Sequence, residues 1–213
     1  MLPGGVNHDG TIPAMSPSPP LVLASTSRYR RELLQRLRLD FEVCSPEVDE
    51  TPLPGEAPAA LALRLALAKA RAVAARRQDA VVIGSDQVVD QDGQALGKPG
   101  DHERATAQLR RLRGRAVVFH TAVAVLRPAT GFERALSAPV TVRFRELADA
   151  EIETYLRLER PYDCAGSAKC ETLGIALLDA IESDDPTTLV GLPLIRTSAL
   201  LRAAGLDPLA RAR

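Results

Sequence analysis

The stretch AVVIGSDQVVDQDGQALGKPGD, Ala80 to Asp101, holds a buried strand and a charged residue in direct succession. Val81 to Gly84 reads as a core strand. Asp92-Gly93 is a tight-turn dipeptide, and Val88-Val89 makes the first arm of the hairpin it closes. Asp86 stands between the two. A carboxylate at the end of a buried strand is paired, ligates a metal or acts as a base, because burying it alone is costly. The plainer alternative is a turn aspartate satisfied by backbone N–H groups.

Upstream, Leu21 to Ala24 reads as a second buried strand and Ser27 to Arg38 as a helix with Leu33, Leu34 and Leu37 on one face. Phe41 to Ser45 looks like another strand. PEVDETPLPGEAP is a proline-punctuated acidic loop, and Pro58 opens a long alanine-leucine helix to about Arg77. Downstream, Asp101 is an N-cap for a helix ending near Gly114. The β runs AVVFHTAVAVL and FERALSAPVTVRF follow, then the helix LADAEIETYLRLE and the strand GIALLDAI. VGLPLIRTSALLRAAG reads as a strand end entering the last helix. Alternating strands and helices with one antiparallel portion predict an α/β fold on a mixed sheet, its site where loops leave the strand ends.

Composition narrows the function. Lys plus Arg equals Asp plus Glu, 27 each, so no broad polyanion-binding surface is expected, although a local basic pocket remains open. Aromatics are 3% and tryptophan is absent, which argues against a stacking platform for single-stranded nucleic acid. No apolar run approaches the roughly 20 residues that span a bilayer. Three cysteines without a CxxC fit a reducing cytoplasm, where Cys164 and Cys170 read as small buried residues rather than metal ligands. Residues 1–20 lack the basic start and apolar block of a signal peptide and are expected to form a disordered extension, with Met15 an alternative start. Residues 207–213 read as a tail. No Walker-type loop, GxGxxG, HExxH or GxSxG is present, and three histidines (His8, His102, His120) leave little room for histidine catalysis.

Four groups of residues stand out. Ser25 precedes a helix start carrying Arg30 and Arg31, where cations oppose the helix dipole unless an anion binds there. The alternative is a solvated basic face. Glu50 closes Glu47–Glu50, a cluster that suits Mg²⁺ or Mn²⁺ or is an ordinary acidic loop. Asp86 is the third. Lys69 and Lys98 are scarce lysines in an arginine-rich chain, suited to phosphate oxygens as point charges, whereas Lys169 reads as surface decoration.

LASTSRYRRELL, EVDET, LALAKA, GSDQVV, GKP, CAGSAKCETLGI and VGLPL, in this order between Leu21 and Leu206, resemble the Maf family of nucleoside triphosphate pyrophosphatases. GSDQV and CAGS.K.E are similar to its 7-methyl-GTP-directed subgroup; dTTP/UTP-directed relatives usually carry Asp-Thr in place of Asp86-Gln87 and Gln in place of Glu171. The resemblance implies a two-lobed α/β fold over residues 21–206, with a central mixed sheet flanked by helices and a cleft between the lobes. It further implies a divalent cation, Mg²⁺ or Mn²⁺, at Glu50 and Asp86, and often a homodimer. It places the proton acceptor at Asp86 with Glu50 as acidic partner, phosphate contacts at Ser25, Arg30, Arg31, Lys69 and Lys98, and substrate discrimination at Tyr29, Gln87 and Glu171. The chain departs from the subgroup at Arg28-Tyr29, commonly Pro-Trp, and at Ala168 and Cys170. Two alternatives stand beside 7-methyl-GTP hydrolysis: a dTTP/UTP-type pyrophosphatase, and a nucleotide-binding regulator of cell division without turnover.

Overall fold

A computed structural model describes residues 18–210, so the expected disordered extension lies almost wholly outside the described residues, as does the end of the tail. The elements run β1 (Leu21–Ala24), α1 (Arg28–Gln35), β2 (Glu42–Cys44), α2 (Pro58–Ala74), β3 (Val81–Gln91), β4 (Gln94–Leu96), α3 (His102–Leu112), β5 (Ala116–Arg127), β6 (Phe132–Phe144), α4 (Asp149–Glu159), β7 (Leu178–Glu182) and α5 (Leu194–Ala203). The sheet order is β2-β1-β3-β5-β6-β7, with β4 paired to β3. β1 is parallel to β2 and β3, and every other pairing is antiparallel.

β3 organises the molecule. On one edge β5 pairs with it continuously from Val82 to Asp90. On the other edge β1 covers Leu21↔Val81 to Ala24↔Gly84 and stops, and β4 begins only at Val89. Ser85 to Val88 therefore have no strand neighbour on that edge among the described residues. Gln87, within this gap, lines the cleft between the lobes.

Alternation along β3 assigns its faces. Val82 and Val88 pack in a core cluster with Leu61, Leu65 and Ala70 of α2. Val81 and Ile83 point the other way, against Leu33 and Leu34 of α1 and Leu200 and Leu201 of α5. The first lobe is thus a helix–sheet–helix sandwich. The second is built on the far ends of β5 and β6, where Phe119, Val140 and Phe144 meet Leu109 of α3 and Ile152 and Leu156 of α4. No helix among the described residues is long and apolar enough to cross a membrane.

Gly84 sets how closely α2 approaches. A Cβ there would lie 2.2 Å from the Ala66 carbonyl oxygen and 2.7 Å from the Ala70 amide nitrogen, so only glycine permits this crossing. Lys69, on the same helix, is thereby brought onto the face of β3 that carries Asp86.

Three expectations need correction. β3 does not end at Gly84: it runs through Asp86 into the hairpin as one strand, because β5 supplies partners throughout. The first half of GIALLDAI is a 3₁₀ turn, Leu173–Leu177, and only Leu178 onward pairs with β6. Val190 to Pro193 form no strand but link a 3₁₀ turn (Thr188–Val190) to α5. The Asp92-Gly93 turn, with φ of 54° and 80°, and the Asp101 cap, which accepts from the Arg104 amide at 2.8 Å, match their sequence signals.

Candidate active site

Asp86 points to the α2 side of β3, where Lys69 Nζ donates to its Oδ1 at 2.6 Å. The same ammonium lies 2.6 Å from Glu50 Oε1. The Lys69 and Asp86 side chains are 6% and 10% exposed, against 57% for Glu50. One buried cation thus holds two carboxylates, one fixed on the central strand and one brought in from a loop. Burial pushes the Glu50 carboxyl up, but the Lys69 hydrogen bond and the Lys69, Lys98 and Arg30 charges outweigh it and leave Glu50 below the usual range. That loop is braced by Arg64, which donates to both Glu56 oxygens at 2.6 and 2.8 Å and to the Thr51 carbonyl at 3.1 Å.

Glu50 and Lys69 border a cavity of about 420 Å³ between the lobes, and Asp86 reaches it through its bond to Lys69. Ser25, Arg30 and Lys98 line it beside Glu50 and Lys69. Ser25 Oγ accepts from the Ser27 amide at 3.1 Å, shaping the turn into α1, and Ser27 caps the helix. Arg30 turns inward and donates from Nε to the Gly191 carbonyl at 2.9 Å. Burial draws its guanidinium below the ordinary value, with Asp86 and Glu50 acting the other way. Arg31 is exposed on the next position of α1 and does not line the cavity.

The opposite end is lined by Arg28, Tyr29, Asp163, Cys164 and Glu171. Arg28 Nη2 donates to the Tyr29 hydroxyl at 2.8 Å, and its guanidinium carbon lies 4.7 Å from the ring centroid. Burial raises the Tyr29 pKa, so the phenol stays protonated and donates to the Asp163 carboxylate at 3.3 and 3.5 Å. The Cys164 and Cys170 thiols are both pushed up to about 12, chiefly by burial, which makes them poor nucleophiles. Gln87 also reaches the cavity, but its Nε2 donates to Thr121 Oγ1 at 2.8 Å and to the Thr188 and Leu189 carbonyls at 3.1 Å. Any influence of its NH₂ on a ligand therefore passes through the 188–191 turn that forms one wall.

Residues outside the sequence reading complete the site. Asp163 faces Tyr29 from the other lobe. The Gly191 carbonyl accepts from both Arg30 and Ser85 Oγ, the latter at 3.0 Å, and so ties α1, β3 and the turn before α5 together. Neither has a local sequence signal, because each acts through a partner more than a hundred residues away. Lys169 is not surface decoration: it is 7% exposed, and its Nζ donates to the Glu159 carbonyl at the end of α4 at 2.8 Å.

No group of three or more His, Cys, Asp or Glu side chains among the described residues could cage a metal ion. Glu50 and Asp86 each place one oxygen on Lys69, and Asp86 Oδ2 has no hydrogen-bond partner among the described residues. Two carboxylates beside the basic side chains of the cavity fit a cation such as Mg²⁺, which takes one or two protein carboxylates and completes its shell with water and phosphate oxygens.

The description of the Maf-like protein family matches residues 20–204. A protein of Polaromonas sp. named 7-methyl-GTP pyrophosphatase is 68% identical over 193 residues, covering 90% of this chain and 88% of that protein. One of the same name from Albidiferax ferrireducens is 64% identical over 189 residues, or 89% and 95% of the two chains. Among solved structures, the Staphylococcus aureus Ham1 protein shares 18% identity and a TM-score of 0.42 over 61% of this chain and 72% of its own, a loose likeness only.

Proposed function

The chain belongs to the Maf family, and on that premise we propose that it hydrolyses 7-methyl-GTP to 7-methyl-GMP and pyrophosphate. The observation that carries this reading is the Glu50–Lys69–Asp86 cluster, with both contacts at 2.6 Å, set beside Arg30 and Lys98 in one cavity. A nucleotide-binding regulator has no need of a nearly buried carboxylate held by Lys69 at the edge of that cavity with one oxygen outside any hydrogen bond among the described residues.

In this reading the triphosphate lies along Ser25, Arg30, Lys69 and Lys98, and Arg31 adds charge from outside the cavity. Asp86 orients a water and accepts its proton as the oxygen attacks the α-phosphorus. The bond from that phosphorus to its bridging oxygen breaks, and the electron pair leaves with pyrophosphate. Charge grows on the leaving group during the step, so the basic side chains favour the transition state over the bound substrate. Glu50 and Asp86 would hold the Mg²⁺ or Mn²⁺, which when bound neutralises phosphate charge and lowers the pKa of coordinated water. Lys69 holds both carboxylates in place, and its charge helps keep Glu50 below the usual carboxylate range.

At the other end, the Tyr29 face and the Glu171 carboxylate suit a purine made cationic by N7-methylation. Gln87 sets the wall between the ends by holding the 188–191 turn. Three cysteines without a disulfide suit a reducing compartment such as the cytoplasm, and the family resemblance supports reading the protein as a homodimer. Product analysis tests the reaction. 7-Methyl-GTP should yield equal amounts of 7-methyl-GMP and pyrophosphate; release of orthophosphate with 7-methyl-GDP instead would contradict attack at the α-phosphorus.

A further inference from the structure

The end of the cavity away from Lys69 carries an imbalance of charge. Five side chains form it: Arg28, Tyr29, Asp163, Cys164 and Glu171. Tyr29 and Cys164 are held protonated by burial, so the charges there are two carboxylates and one guanidinium. The guanidinium already lies over the Tyr29 ring, which shows that this ring accepts a planar cation. Asp163 stands across the cleft on the loop after α4, its oxygens 3.3 and 3.5 Å from the Tyr29 hydroxyl. The Cys164 thiol is 3.5 Å from Asp163 Oδ1 and 3.6 Å from the same hydroxyl. No ion pair within 4.0 Å binds Asp163 to Arg28 or to any other base among the described residues; the Arg28 charge acts on it only from a longer distance.

We propose that Asp163 is a specificity-determining residue, whose carboxylate, outside any direct ion pair among the described residues, complements a cationic purine held at the Tyr29 face. This rests on reading the cavity as a nucleotide site and assigns the base end a second acid beside Glu171. An N7-methylated guanine brings a positive charge to a region of net negative charge; an unmethylated guanine of nearly the same shape does not. Tyr29 links the two effects, because the hydroxyl that donates to Asp163 belongs to the ring that receives the base.

The test is equilibrium binding of 7-methyl-GMP and GMP, which needs no turnover, to the full chain and to Asp163→Asn, Asp163→Glu, Tyr29→Phe and the Asp163→Asn/Tyr29→Phe pair. Asp163→Asn should lower the preference for 7-methyl-GMP about two- to fivefold, the effect of one exposed charge contact. Asp163→Glu should keep most of it. The loss should recur in the Tyr29→Phe background, where the ring remains and the hydroxyl is gone. Equal weakening of both nucleotides, with the preference unchanged, overturns the proposal and leaves Asp163 only as a support for Tyr29. A wild type that hydrolyses triphosphates without preferring the methylated nucleotide overturns it too, while the pyrophosphatase reading stands. A wild type that neither binds nor hydrolyses removes both.

Discussion

The two ends of the cavity are made of different material. At the Lys69 end, Asp86 sits on the central strand and Lys69 on the long helix, and they meet at 2.6 Å with almost no exposure, with Glu50 added from a loop. At the Tyr29 end they sit on the first turn of a helix and on a loop, and the contacts between lobes are 3.3 to 3.6 Å. Proton transfer tolerates little misplacement, and the scaffold supplies that rigidity. Selecting a base needs only a difference in affinity, which exposed loop residues supply and can change without disturbing the chemistry. The comparison predicts that damage to the first end lowers turnover of every substrate alike, whereas damage to the second alters the choice among substrates.

The largest effect should come from Asp86→Asn, with kcat down about 10³-fold on 7-methyl-GTP and GTP alike, since a general base contributes roughly 10²–10⁴. Single-turnover rates on both substrates check it; a changed ratio would mean that the ends are not separate. Next is Lys69→Met, expected to cost about 10² in kcat, the scale of one removed electrostatic contact. It also has a pH signature. Lys69 holds Glu50 below the usual carboxylate range, so its removal lets Glu50 rise and stay protonated to higher pH. The acid limb of kcat/KM should therefore move to higher pH, and an unmoved limb would deny Lys69 its place between the carboxylates.

Lys169→Met acts on the frame of the base end. Losing the charged hydrogen bond to the Glu159 carbonyl should cost about 2 kcal/mol. Thermal unfolding should then fall by about 4–8 °C for a chain of this size. No change would show that the loop is held by something else. The smallest effect is that of Arg28→Ala. Removing the guanidinium over Tyr29 frees that face for substrate, so the preference for 7-methyl-GTP over GTP should rise about two- to fivefold. Its sign is opposite to that expected for Asp163→Asn, and a fall would reverse the charge account of this end.

The same contrast explains what was legible in the sequence. Local signals sufficed for α2 with Pro58 at its start, for the Asp92-Gly93 turn and for the Asp101 cap, because each depends on neighbouring residues. Asp86 stood out for a physical reason, a charge inside a buried run. That β3 continues through it was not legible, since only pairing with β5, more than thirty residues later, keeps the strand extended. Lys169 looked like an exposed lysine because nothing nearby in sequence announces the Glu159 carbonyl. Asp163 carries no local signal for the same reason: it lies 134 residues from the hydroxyl it accepts from. The groups gathered at the Lys69 end come from several short motifs, and the family resemblance joined them. The base end depends on where two lobes meet.

The most direct measurement is pyrophosphate release from 7-methyl-GTP, GTP, dTTP, UTP and CTP, side by side, with Mg²⁺ or Mn²⁺. The account predicts turnover with 7-methyl-GTP clearly ahead of GTP and both ahead of the pyrimidines. Pyrimidine triphosphates leading the panel would leave the Lys69 end intact and contradict the base end; no release from any of the five would contradict the account as a whole.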